Sequence, residues 1–133
     1  MGGSKPSWSE YYLGVAEAAS KRSSCVRAKV GAVIVSAENR VVSLGYNDAP
    51  AGKPGCEKCP RRLSNVAPGS SYDTGDGVCH SLHAEQNALL FASRSACEGG
   101  TLFVTRAACD GCFRMIQGSG LSKVVTPEGT IEL

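Results

Sequence analysis

Two Cys-x-x-Cys pairs, Cys56/Cys59 and Cys109/Cys112, and two histidines, His80 and His83, are the residues of this chain whose types and spacing can do chemistry. Seven cysteines in 133 residues is a high number and an odd one. In a reducing compartment such thiols serve as metal ligands, catalytic groups or buried side chains more often than as disulfides. A catalytic zinc commonly takes three protein ligands and leaves a fourth position for water. His83, Cys109 and Cys112 supply such a set. Cys109 and Cys112 stand at i and i+3 where a helix is predicted to begin, so their sulfurs point the same way. The unpaired N–H groups of a helix start also favour thiolate over thiol. Glu85 follows His83 by two residues, too early in its helix to ligate beside it. Helical side chains lean toward the N-terminus, so its carboxylate can reach over the open position and shuttle a proton. Two other readings use the same thiols. A thioredoxin-like redox pair would hold no metal, and a non-catalytic zinc module for a partner would need neither Glu85 nor an open coordination position.

The elements that must position these residues are legible as patterns. "SWSE" (7–10) has the form of a capping box and predicts a helix from Ser7, with Tyr12, Val15, Ala16 and Ala19 recurring at helical spacing. "KVGAVIV" (29–35) and "RVVSLGY" (40–46) are β-branched runs joined by the polar "SAEN", an antiparallel hairpin. A Gly-, Pro-, Ser- and Asp-rich stretch follows, read as one long loop over about 47–80; loops of this length inside a compact domain are usually functional. "HAEQNALLFASRS" (83–95) predicts a helix stopped by Gly99 and Gly100, "TLFVT" (101–105) a strand, "CDGCFRMIQGSG" (109–120) a second helix and "SKVVT" (122–126) a strand. "TIEL" is either a last edge strand or a tail. Right-handed crossovers make the last three strands parallel and set both crossover helices on one face of the sheet. His83 and Cys109 then meet. The length suits one domain, residues 1–133.

A net charge of +2 without a basic stripe argues against a long nucleic-acid footprint and for a small substrate or a protein partner. No window approaches the roughly 18–20 apolar residues of a membrane span, and "MGGSKPSWSE" lacks the apolar core of a signal peptide. A cytoplasmic protein without a membrane partner is expected.

"HAEQNALL" followed by "TLFVTRAACDGC" resembles the zinc-dependent cytidine/deoxycytidylate deaminase superfamily, whose signature is H-x-E…P-C-x-x-C with the glutamate as a non-ligand acid/base. "SSCVRAKVGAVIV", "GYNDAPAG" and "HAEQNA" are similar to its deoxycytidylate (dCMP) branch. The resemblance implies a three-layer α/β/α fold, a mixed sheet with an N-terminal antiparallel hairpin and parallel C-terminal strands. It implies hydrolysis of dCMP to dUMP and ammonia, with His83, Cys109 and Cys112 on the catalytic zinc and Glu85 as acid/base. Asn47 matches a position that contacts sugar and base, and Arg27 one that contacts phosphate, where a guanidinium fork suits a doubly charged group. Ala84 also matches a substrate-binding position. Arg94 is a lesser candidate for phosphate or subunit contact. Relatives form dimers or hexamers and often respond to dCTP and dTTP, so a homo-oligomer and those two effectors are implied as well. Ala108 stands where the family usually has proline, which would fix φ at the helix start; alanine loosens that turn without removing a ligand.

The remaining cysteines raise a second expectation. Cys25, Cys56, Cys59 and Cys79, with His80 as a substitute ligand, form a candidate structural zinc site that would clip the long loop, and some relatives place a structural zinc at positions matching Cys25 and Cys56. Tyr72 is a candidate for stacking on a bound base. Cys97 reads as a plain buried or surface thiol. Within the enzyme class the alternative substrates are cytosine, guanine, dCTP, a modified cytidylate and tRNA adenosine. Cytidine deaminases proper commonly carry Cys at the position of His83, which disfavours that branch.

Overall fold

The computed structural model describes residues 5–50, 79 and 81–133. The expectations for Cys56, Cys59, His80 and Tyr72, and for most of the long loop, lie outside the described residues. Helix α1 runs Trp8–Ser20, started by the expected capping box: Ser7 Oγ accepts from the Glu10 N–H at 3.1 Å and Glu10 Oε1 accepts from the Ser7 N–H at 2.9 Å. Strands β1 (Gly31–Val35) and β2 (Val41–Tyr46) form the antiparallel hairpin. After the loop come helix α2 (Ala84–Leu90), a short helix α3 (Arg94–Cys97), strand β3 (Thr101–Val104), helix α4 (Asp110–Gly118), and strands β4 (Lys123–Thr126) and β5 (Gly129–Glu132).

The sheet order is β2-β1-β3-β4-β5. β1 pairs antiparallel with both β2 and β3, so β2 and β3 point the same way, and β3 pairs parallel with β4. The "TIEL" segment is an edge strand, β5, antiparallel to β4. Every residue of β1 is buried, as expected for a central strand covered on both faces. One face packs Ala32, Ile34, Leu102 and Val124 under Ala84, Ala88 and Ile116 of α2 and α4. The other packs Val33, Val35, Phe103 and Val125 under Tyr12 and Ala16 of α1. The result is three layers. Among the described residues no helix is long and apolar enough to cross a membrane.

The helix predicted over 83–95 is broken in two. Ser93 competes with the helical backbone, its Oγ accepting from the Ala96 N–H at 3.2 Å to start α3. Arg94, raised above as a phosphate or subunit contact, donates from Nη1 to the Gly118 carbonyl at the end of α4, where a cation is favourable.

Two glycines let the helices approach the sheet. A Cβ on Gly31 would meet the Ala16 carbonyl oxygen at 1.8 Å, and one on Gly45 would meet the Ala84 oxygen at 2.3 Å and the Ala88 nitrogen at 2.6 Å. These are backbone atoms that cannot swing aside. Gly45→Ala must therefore lift the very turn of α2 that carries Glu85. We expect a loss of about 3 kcal/mol in urea unfolding, at the upper end of overpacking effects. A loss below about 0.5 kcal/mol would mean that α2 does not sit this close.

Candidate metal centre

The candidate metal donors gather at the end of the sheet where β2 and β3 terminate. There Thr105 closes onto β1, its N–H donating to the Gly31 carbonyl at 3.0 Å and its Oγ1 accepting from the Gly31 N–H at 3.1 Å. The chain then turns into α4. Cys109 is its N-cap residue, extended at φ −70° and ψ 167°, and Cys112 falls one turn later on the inward face shared with Ile116. Ala108, in the place of the family's proline, packs against the core, and the turn forms with alanine there. His83 caps α2 in the same extended conformation, at φ −72° and ψ 157°. Gln86 Oε1 accepts from its N–H at 2.8 Å.

These two helix starts bring an imidazole and two thiols together. His83 Nδ1 lies 3.1 Å from Cys112 Sγ and 3.4 Å from Cys109 Sγ, and the donor atoms all fall within 4.8 Å of one another. Among the described residues this is the only such group of metal donors. Borderline-soft zinc takes this mixture of imidazole nitrogen and thiolate sulfur. A tetrahedral zinc spaces N and S ligands roughly 3.6 Å apart, within a few tenths of an ångström of the separations seen. The residues fit the metal. Cys112 is buried at 1 % exposure while His83 and Cys109 are half-buried.

Glu85 lies two residues beyond His83, on α2, and is buried at 4 % exposure. Its carboxylate does not belong to the donor group. Burial pushes the Glu85 carboxyl above the usual carboxylate range, while its own main-chain N–H and the Arg106 guanidinium pull it back. A carboxyl whose charged form is disfavoured by burial takes up a proton more readily than an exposed one.

The other candidates are placed as follows. Asn47 is buried and its amide is engaged by the chain itself: Oδ1 accepts from the Val30 N–H at 2.8 Å and Nδ2 donates to the Ala28 carbonyl at 2.7 Å. It thereby fixes the 28–30 segment, a role its type alone did not reveal. Arg27 is exposed on the connection before that segment. The Ala84 side chain is wholly buried in the core, so it offers a ligand only its main chain. Cys25 and Cys79 are half-buried and stand outside the His83 group, and Cys97 is a buried core thiol. Sequence reasoning passed over Arg106, the charge that acts on Glu85. Its position between the β3 strand and Cys109 was the available signal.

A five-stranded mixed sheet between helices, with a His/Cys/Cys donor group at two helix starts and a buried glutamate two residues on, defines the class of zinc-dependent hydrolytic deaminases with the cytidine deaminase-like fold. The chain belongs to that family: residues 6–128 match the cytidine and deoxycytidylate deaminase zinc-binding region. It is 52% identical over 126 residues to the deoxycytidylate deaminase of Mycobacterium phage D29, covering 94% of this chain and 98% of that one. It is 45% identical over 92 residues to the deoxycytidylate deaminase of Schizosaccharomyces pombe, which covers 68% of this chain but only 27% of the yeast protein. Its fold is similar to the crystal structure of dCMP deaminase from the cyanophage S-TIM5 in complex with dCMP and dUMP. That match has a TM-score of 0.69 and 32% identity, over 92% of this chain and 82% of the other.

Proposed function

We infer that this chain is a zinc-dependent deaminase that hydrolyses dCMP to dUMP and ammonia. The observation that carries the reaction class is the convergence of His83 Nδ1, Cys109 Sγ and Cys112 Sγ within 4.8 Å beside a buried glutamate left out of the group. The choice of nucleotide is supported by the near full-length similarity to a deoxycytidylate deaminase. His83, Cys109 and Cys112 hold the zinc. A zinc bound there supplies the Lewis acidity that makes water a nucleophile near pH 7. Glu85 moves the protons: of the two on the attacking water, one goes to N3 of the base and one to the departing amine, while the water oxygen ends on C4. Burial of Glu85 and Cys112 keeps bulk water from competing for those protons. Arg27, exposed on its connection, takes the 5′-phosphate, the Ala84 main chain faces the nucleoside, and Asn47 serves the site by holding the 28–30 segment through its amide.

The reading extends to a cytoplasmic homo-oligomer and to a second, structural zinc on Cys25, Cys56, Cys59 and Cys79. The Cys-x-x-Cys spacing of the middle pair supports the latter.

Ammonia release from a panel of bases, nucleosides and mono- to triphosphates tests the assignment. dCMP is expected to give a kcat/KM at least about tenfold above any other member, a margin of 1.4 kcal/mol in transition-state binding. A preference for a free base or a nucleoside lacking phosphate would remove Arg27 from its role. No ammonia from any cytosine compound would remove the function.

A further inference from the structure

We propose that Asp48 is a positioning residue for His83, acting through Leu82 and anchored by Ser24. The inference rests on the reading that His83 is a zinc ligand. His83 is held from its C-terminal side by α2: the Asn87 N–H donates to its carbonyl at 2.9 Å, and Gln86 caps its N–H. On its N-terminal side it follows Leu82. Leu82 is paired in both directions with Asp48, the Asp48 N–H donating to the Leu82 carbonyl at 3.1 Å and the Leu82 N–H to the Asp48 carbonyl at 2.7 Å. This bridge is an isolated one, outside the five-stranded sheet. It gains nothing from neighbouring ladder pairs, so its geometry depends on how well Asp48 itself is fixed.

The Asp48 carboxylate does the fixing. Its Oδ1 accepts from the Ala49 N–H at 2.8 Å, closing the turn on itself, and accepts from the Ser24 hydroxyl. The same stretch is stitched on each side. The Ser23 hydroxyl donates to the Asn47 carbonyl at 2.6 Å, and Asn87 Nδ2 donates to the Tyr46 carbonyl at 2.6 Å. Tyr46, Asn47 and Asp48 thus tie the segment after α1 to the start of α2. Cys112, by contrast, is set by a helical turn packed on the core. Among the described residues the bridge between Leu82 and Asp48 is what holds the approach to His83 from the N-terminal side, and groups that orient a ligand typically govern metal retention by 10–100-fold.

The experiment is zinc release from the purified, zinc-loaded full chain into excess chromogenic chelator, read in the phase that Cys112→Ser lacks. Asp48→Ala removes both acceptor bonds and should release zinc roughly tenfold faster or more. Ser24→Ala, which leaves the Ala49 bond, should fall between Asp48→Ala and wild type. Asp48→Asn keeps an Oδ1 acceptor for both donors and should return to within about twofold of wild type. Tyr12→Phe is the control for general loosening. It deletes the hydroxyl bond to the Asn39 carbonyl at 2.8 Å on the opposite face, and should lower the unfolding midpoint without changing release. If Asp48→Ala does not fold, Ser24→Ala against Tyr12→Phe carries the same comparison. Wild-type release from the alanine variants, equal acceleration by Tyr12→Phe, or failure of Asp48→Asn to rescue would overturn the proposal while leaving the zinc centre intact. A wild-type chain that binds no zinc would overturn the centre and this inference together.

Discussion

Replacing Glu85 by glutamine should cost about 10³-fold in kcat for dCMP, within the range by which positioned acids and bases act, with zinc content unchanged. The substitution keeps volume and acceptor geometry at a site of 4 % exposure, so the surrounding packing has no reason to shift. What disappears is a group that can accept a proton from water and return it to N3 and to the amine. Glutamine cannot be protonated in that way at neutral pH. The loss should fall on kcat far more than on KM, because the proton moves only as the transition state forms. Stability should move the other way. The carboxyl is disfavoured in its charged form by burial, whereas a neutral amide does not carry that cost. Glu85→Gln is therefore expected to melt at the same temperature as wild type or above it, the trade often seen at strained functional positions. Single-turnover kinetics, metal analysis and thermal unfolding on one preparation check all three statements. Turnover within tenfold of wild type would show that the protons travel by another group.

The parts of this molecule that were legible in its sequence are those encoded over a few residues. The capping box at Ser7 and Glu10, the hairpin of β1 and β2, and the two helix starts at His83 and Cys109 each follow from local spacing. The meeting of His83 with the two cysteines followed from one long-range rule, the right hand of crossovers, because both helices then share a face. What stayed hidden depends on three-dimensional neighbours. By resemblance Asn47 matches a position that contacts sugar and base, and only the fold shows its amide bonding Ala28 and Val30, in the segment that leads into β1. Arg106 carries no motif of its own and matters only because β3 delivers it near a glutamate twenty-one residues earlier in the chain. The break after Leu90 reflects competition between one helix and a new cap at Ser93, which periodicity does not weigh. Small residues were also under-read. Gly31 and Gly45 look like ordinary strand glycines, and only the approach of Ala16 and Ala84 shows why no larger residue fits.

Cys112→Ser should strip the metal and, with it, both the activity and a measurable part of the stability. A serine hydroxyl stays protonated near neutral pH and is a poor partner for a borderline-soft ion, whereas a thiolate is a strong one. Zinc that binds only the folded chain stabilises it by RT ln(1 + [Zn]/Kd), about 4 kcal/mol when free zinc is a thousand times Kd. Wild type should thus lose a comparable amount on treatment with a chelator, and Cys112→Ser should lack that part of the response, keeping only what a structural zinc on Cys25, Cys56, Cys59 and Cys79 would give. The two cysteines are expected to differ in a second respect. Cys112 is 1 % exposed and packs with Ile116 on the inward face of α4, so a hydroxyl there is buried as well as useless to the metal. Cys109 is half-buried at the N-cap, where serine is a favoured residue and its oxygen can accept from the first turn of α4. Compared in the metal-free state, Cys109→Ser should be as stable as wild type or slightly better. Cys112→Ser should be weaker by about 1 kcal/mol, because a hydroxyl costs more to bury than a thiol even with His83 Nδ1 3.1 Å from the Cys112 sulfur. If both variants keep the wild-type zinc content and the full wild-type response to the chelator, the catalytic ion is held elsewhere. If they lose zinc but show equal metal-free stability, the inward setting of Cys112 is wrong even though its ligand role stands.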